Sequence, residues 1–124
     1  MSNILDKAEK SIWIYDPYMD EKIIVELENV KADEIKLLTN TTNNRFFQRL
    51  EAFQKEHHVA IEAKKSRESH DRYYILDKNR VWNLGASYNH AGDKATNLHE
   101  VKNGNDVSRI ITDFDNWWQS ATHF

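Results

Sequence analysis

An imidazole and a guanidinium lie two residues apart in the segment His70-Asp71-Arg72, and a carboxylate follows at Asp77. The composition of 72–77 is typical of a β-strand, and alternate residues of a strand share a face. His70 and Arg72 would then point the same way. A guanidinium can hold two phosphate oxygens in a fork, and an imidazole can attack phosphorus or carry a proton. This spacing therefore predicts a phosphate-binding site.

Polar groups that suit the same chemistry follow further along the chain. Ser87 and Asn89 can donate hydrogen bonds to non-bridging phosphate oxygens, and Gly85 lets the backbone approach closely. Glu100, on a predicted strand, can orient the His70 ring and select its tautomer. The chain has no cysteine, and its histidines show no clear metal-ligand spacing. We therefore expect neither a metal nor a cofactor.

This pattern resembles the signature of the phospholipase D superfamily: His70-x-Arg72, four residues, Asp77, then Gly85-Ala86-Ser87-Tyr88-Asn89. The family motif is His-x-Lys and Asp, followed by a Gly-Ser or Gly-Gly turn and an Asn. The order of elements is also similar, from the first strand to the Trp-rich last helix. The chain looks like a variant half domain with a single motif. Similar domains occur in bacterial phage-defence proteins and at the C-terminus of microtubule-interacting-and-trafficking proteins, where the domain binds membranes.

The resemblance implies a role for each residue that matches the motif. His70 would be the nucleophile that forms a phosphohistidine, and Arg72 would hold the phosphate. Ser87 and Asn89 would contact phosphate oxygens, while Glu100 would support His70. Because the family needs two motifs for each active site, an active enzyme would be a homodimer.

Two departures from the family pattern keep two functions open. Arg72 stands in place of a Lys. Seven residues rather than six separate Asp77 from Gly85. The resemblance implies a structural role for Asp77. A planar fork differs from a point donor, and a small displacement is costly in catalysis. The chain is then either a metal-independent nuclease or phosphodiesterase, or a catalytically inactive module. Such a module would bind a ligand or partner within a bacterial defence or regulatory protein.

Length and charge restrict the partners. A chain of 124 residues predicts one domain over 1–124, and its net charge of −3 argues against coating nucleic acid by bulk charge. A local basic segment nevertheless spans 64–72, so we expect nucleic acid or another phosphodiester as the ligand. No apolar run is long enough for a membrane span. We expect a cytoplasmic protein that can contact lipid only peripherally, at a membrane surface.

The elements that position these residues are predicted in the order β-α-β-α-β-β-β-β-α. Strand composition marks 11–15, 35–39, 58–63, 72–77, 80–84 and 96–102, and apolar residues at helical spacing mark 23–30, 46–53 and 107–121. The expected fold is α/β, a mixed β-sheet flanked by helices, parallel at first and antiparallel after residue 58. Trp13, Tyr15 and Tyr18 can stack on bases, although the core is the favoured place for Trp13.

Overall fold

The computed structural model describes residues 2–85 and 98–124. Within those ranges the helices are α1 (Ser2–Leu5), α2 (Glu21–Leu27), α3 (Asn44–Glu56) and α4 (Gly104–Ser120). The strands are β1 (Ser11–Tyr15), β2 (Glu34–Thr39), β3 (Ala60–Lys65), β4 (Arg72–Leu76), β5 (Arg80–Leu84), β6 (His99–Val101) and β7 (Thr122–His123). The predicted α/β class is confirmed.

The strands form one mixed sheet in the order β6-β5-β4-β1-β2-β3-β7. β1, β2 and β3 are parallel to one another, while β4 pairs antiparallel with β1 and carries β5 and β6 as further antiparallel strands. The predicted parallel pairing at the start of the chain is confirmed for β1 and β2. The antiparallel pairing predicted after residue 58 is confirmed for β4, β5 and β6, whereas β3 pairs parallel with β2 and does not pair with β4. The chain leaves β3 near one side of the sheet and crosses to the other side of β1 before it enters β4.

Helices cover both faces of the sheet. The first three helices pack on one face, where the core includes Ile14 of β1, Ile24 of α2 and Phe46 of α3. On the other face, α4 packs Phe114 and its other apolar residues against β1, β4 and β5. The ring of Phe114 stacks on that of Trp13 at 5.0 Å, so Trp13 belongs to the core as predicted.

Three helices begin at polar side chains that cap their first turn. Asp20, Asn43 and Asn103 each accept hydrogen bonds from backbone N–H groups in the first turn that follows. Such groups lack a partner within the helix, so an oxygen at this position stabilises the helix start by about 1 kcal/mol. These caps place each helix start two or three residues before the apolar span predicted for that helix.

Some boundaries differ from the prediction. The third strand lies at Ala60–Lys65 rather than 58–63, and the short elements α1 and β7 were not predicted. β7 pairs through only two residues with the end of β3, too few to leave a period-two pattern in the sequence. Residues 88–96, whose polar composition predicts an irregular stretch, lie outside the described residues.

Candidate functional site

The carboxyl ends of the three parallel strands meet at one edge of the sheet. Asp16 follows β1, Asn40 follows β2 and Ser66 follows β3. β4 runs antiparallel to β1, so its first residue, Arg72, lies at this same edge beside the end of β1. In open α/β sheets, ligands bind outside the carboxyl ends of the strands. We call this part of the molecule the carboxyl edge.

The loop between β3 and β4, residues 66–71, is anchored on a buried phenol. The hydroxyl of Tyr15, whose side chain is fully buried, lies 3.0 Å from Oγ of Ser66. The same hydroxyl accepts a hydrogen bond from the backbone N–H of Ser69 at 2.9 Å. The N–H of Ser66 also donates to the carbonyl of Thr39. The loop is thus tied at both ends to the sheet.

Two basic side chains of this loop face solvent, beside the exposed carboxylate of Glu68. Arg67 is exposed, and its Nε donates to Oδ1 of Asn40 at 3.3 Å. His70 is exposed as well. Because β4 begins at Arg72, strand alternation relates Arg72 to Tyr74 but does not extend back to His70. His70 and Arg72 therefore share the carboxyl edge, whereas their orientation relative to each other is set by the loop.

Arg72 is paired with a carboxylate on the neighbouring strand end. Its Nε lies 3.2 Å from Oδ1 of Asp16, with 41% of the Arg72 side chain and 14% of the Asp16 side chain exposed. The same oxygen of Asp16 accepts the backbone N–H of Tyr18 at 2.9 Å. Asp16 therefore holds both the guanidinium and the turn after β1.

A cavity of about 210 Å³ opens beside this ion pair. It is lined by charged, aromatic and apolar side chains from the turn after β1, from α2 and from β4: Asp16, Tyr18, Asp20, Lys22, Ile23, Glu26, Arg72 and Tyr74. Burial, followed by the negative charge of Asp16, raises the pKa of Tyr74 to about 12. Burial also raises the pKa of Glu26 above its ordinary value. We call this space the Arg72 cavity.

Glu100 is engaged by other partners. Its two carboxylate oxygens accept hydrogen bonds from Nε and Nη2 of Arg80 at 3.1 and 3.2 Å, and Lys102 lies 3.0 Å away. The Arg80 hydrogen bond is the main reason that the pKa of Glu100 lies below its ordinary value. Arg80 begins β5 at the opposite edge of the sheet from the carboxyl edge. The role of Glu100 in supporting His70 stays a prediction. In the described ranges no contact between Glu100 and His70 favours it.

Asp77 lies at the edge opposite the carboxyl edge. Its carboxylate accepts hydrogen bonds from the backbone N–H groups of Glu9, Lys10 and Ser11, at 2.7 to 3.1 Å. Asp77 and Lys78 both have left-handed backbone conformations, with φ of 54° and 58°, in the tight turn between β4 and β5. The carboxylate thus connects that turn to the start of β1.

Gly85 returns to the carboxyl edge at the end of β5. Its φ of +154° lies in the range that favours glycine, and a Cβ added there would collide with the carboxyl group of Asp71. Oδ2 of Asp71 in turn accepts from Nδ2 of the buried Asn83 at 3.4 Å. The predicted phosphate contacts Ser87 and Asn89 follow Gly85 in the chain but lie outside the described residues.

Sequence reasoning missed the residues that organise this edge. Asp16, Asn40 and Asp71 contact the predicted site from three different parts of the chain. No local signal connects Asp16 to Arg72, because the sheet order brings them together.

The described part of the chain contains neither a metal-binding cluster nor a membrane-spanning helix. Over residues 2–85 and 98–124, no group of three or more His, Asp and Glu side chains is placed to hold a metal ion. Within those same ranges, no helix is long and apolar enough to cross a membrane.

Comparison with known proteins corrects the family assignment. No known family and no curated protein matches the sequence. The fold is similar to that of TrmBL2, an archaeal chromatin protein whose structure is described as showing a novel mode of DNA binding. The TM-score is 0.60 with 17% identity over 99% of this chain, which spans about half (48%) of that protein.

The predicted resemblance to the phospholipase D superfamily is therefore wrong. A short motif with one substituted residue and one altered spacing matched the pattern, but the comparisons give that family no support. The catalytic roles of His70, Arg72 and Glu100 stay predictions, and the family resemblance no longer supports them. A homodimer was expected only because the family needs two motifs for each active site, so that expectation is no longer supported. Nothing in these similarities supports a role in phage defence.

Proposed function

We propose that this chain is a nucleic-acid-binding module that holds the phosphate backbone at its carboxyl edge. The observation that carries the proposal is the grouping of Arg67, His70 and Arg72 on the anchored loop 66–71 and the first residue of β4. No cleavage step is part of the proposal.

The chemistry of these side chains suits phosphate. Arg67 is exposed and uses Nε on Asn40, so the hydrogen bond to Asn40 does not occupy its terminal nitrogens. A guanidinium binds two phosphate oxygens in a fork, and charge-assisted hydrogen bonds are about twice as strong as neutral ones. His70 adds an exposed ring donor on the same loop. Ser87 and Asn89, which follow Gly85 in the chain and lie outside the described residues, are proposed as further donors.

Anchoring of the loop favours binding. A flexible loop loses conformational entropy when it grips a ligand, and that loss reduces affinity. Tyr15 and Thr39 already hold the backbone of 66–71 against the sheet. The cations are therefore presented in a largely formed arrangement.

The overall charge of −3 makes the site depend on local charge. A few phosphate contacts give modest affinity that falls steeply with salt. The similarity to half of a DNA-binding chromatin protein favours nucleic acid over other phosphodiesters as the ligand. We therefore expect a contributing module with weak, salt-sensitive binding of its own.

Fluorescence anisotropy with labelled duplex and single-stranded DNA tests the proposal. Each phosphate that a guanidinium neutralises adds about −0.9 to the slope of log K against log salt on duplex DNA, so Arg67 and Arg72 together predict a slope no steeper than about −1.8, and Arg67→Ala should reduce its magnitude by about 0.9. Lys31→Ala is the matched control, since it removes one exposed positive charge before β2, at the opposite edge. Absence of binding at low salt, or equal losses in both variants, would overturn the proposal.

A further inference from the structure

We propose that the Arg72 cavity receives a single unpaired nucleobase, stacked on Tyr18, so that single-stranded nucleic acid is the preferred ligand. This inference rests on the proposed function and names the class of nucleic acid. Three features support this inference: the exposed ring of Tyr18, the side chains around the cavity and the neighbouring cations.

Tyr18 is an exposed aromatic residue on a fixed turn. Its side chain is 71% exposed, the highest value among the large hydrophobic residues in the described ranges. The turn is held by the bond from the Tyr18 N–H to Asp16 and by the bond from the Asn40 N–H to the carbonyl of Pro17. Core packing therefore does not account for the ring. A base that stacks on such a ring gains about 1–3 kcal/mol.

The lining of the cavity matches the edge of a base. Asp16 and Glu26 present carboxylates that can accept from exocyclic amino groups, and Arg72 and Lys22 present donors for ring nitrogens and carbonyl oxygens. Carboxylates pair with the amino group of cytosine, and Arg pairs with the acceptors of guanine. Thymine has no amino group, so we expect it to bind less tightly than cytosine.

The size of the cavity limits its occupant. Its volume of about 210 Å³ lies below the roughly 300 Å³ at which pockets for drug-sized ligands begin. One base fits this scale better than a larger molecule. Bases in a duplex are stacked and paired, whereas unpaired bases can turn outward onto aromatic side chains. The cavity therefore selects single strands.

Arg72 connects the cavity with the phosphate contacts. Its side chain lines the cavity, and it begins β4 directly after the loop that carries Arg67 and His70. A strand that crosses the carboxyl edge can thus place a phosphate near the loop and a base in the cavity. The two contacts are separable, which permits a sharp test.

The test measures the affinity of the full chain for labelled oligo-dC, oligo-dT and duplex DNA by anisotropy, and for cytidine monophosphate by calorimetry. Tyr18→Ala should weaken oligo-dC binding about 5-fold or more, which corresponds to a loss of at least about 1 kcal/mol, and leave duplex binding unchanged. Tyr18→Phe should keep the affinity, since the ring remains. Phe124→Ala is the control, because Phe124 is another exposed aromatic residue, at 52%, which follows β7 and contacts the ring of Phe47 rather than lining the cavity.

The outcomes separate the two proposals. If Arg67→Ala weakens all DNA binding but Tyr18→Ala weakens none, the nucleobase inference fails and the proposed function stands. If no DNA binds, both fail. Tyr18-dependent binding of cytidine monophosphate without binding of the oligonucleotides would overturn the single-strand assignment. Equal affinity for oligo-dC and duplex would also overturn it.

Discussion

Nε of Arg72 lies 3.2 Å from Oδ1 of Asp16; Arg72 begins β4, and Asp16 directly follows β1, the antiparallel neighbour of β4. The pair decides how much positive charge the carboxyl edge offers to a phosphate. Asp16 neutralises the guanidinium and also directs it, so substitution of Asp16 should change affinity without removing the cation.

Asp16→Asn should raise the affinity for duplex DNA by roughly 2- to 5-fold at low salt, since one negative charge beside the phosphate site is removed. Asn retains the oxygen that accepts the Tyr18 N–H. The ion pair is partly exposed, so the free energy of unfolding should change by less than about 1 kcal/mol. Anisotropy titrations and urea unfolding measure the two effects, and a weaker affinity for duplex would contradict the proposed site.

Tyr15→Phe should loosen the loop 66–71, because the lost hydroxyl links Ser66 and Ser69 to the core. We expect a destabilisation of about 1–2 kcal/mol and faster hydrogen exchange at the Ser69 amide. DNA affinity should fall 2- to 3-fold, on the order of the cost of ordering a loop again on binding. Unchanged exchange at Ser69 would show that the loop is held by other contacts.

Asp77 should make stability depend on acid pH. Partial burial acts to raise its pKa, but the hydrogen bonds from the N–H groups of Lys10, Ser11 and Glu9 outweigh it, and the folded-state pKa is lowered. Its contribution to stability is therefore complete above the unfolded-state value of about 3.9 and is lost as the pH falls through the lower folded value. Urea unfolding at pH values from neutral to strongly acid should show this loss.

Substitution at Asp77 separates the charge from the backbone conformation. Asp77→Asn keeps an acceptor and tolerates the left-handed φ, so we expect a loss of about 1 kcal/mol and a shallower acid dependence. Asp77→Ala should cost roughly 2–3 kcal/mol, because the acceptor is lost and alanine is strained at this φ. Asp113→Asn, which removes a carboxylate on α4, is the control. Equal acid slopes in the wild type and in Asp77→Asn would contradict this account.

Gly85→Ala should destabilise the protein by about 2 kcal/mol or more, because the new methyl group would collide with the Asp71 carboxyl group. Gly104→Ala is the matched control, since no atom lies within 4 Å of a Cβ there. That control should be neutral or stabilising by up to about 1 kcal/mol. Thermal or urea unfolding measures both variants. If Asp71→Ala does not restore part of the stability lost in Gly85→Ala, the collision is not the cause.

Local patterns determined most of the elements of this protein. Asp20, Asn43 and Asn103 mark helix starts because a side-chain oxygen satisfies nearby N–H groups, an interaction that spans two or three residues. The apolar spacing of α4 likewise reflects which face of the helix is buried, and the nearly continuous apolar run of β4 reflects a strand buried on both faces, so both can be recognised in the sequence alone.

Tertiary structure alone decided what meets at the carboxyl edge. Asp16 and Arg72 are far apart in the chain and become neighbours only because β4 pairs with β1 rather than with β3. The choice of neighbouring strand depends on the packing of the whole sheet and leaves no mark at either residue. The motif around His70 is a pattern of spacing along the chain. Spacing alone shows neither which residue pairs with a charged side chain nor to which family a protein belongs.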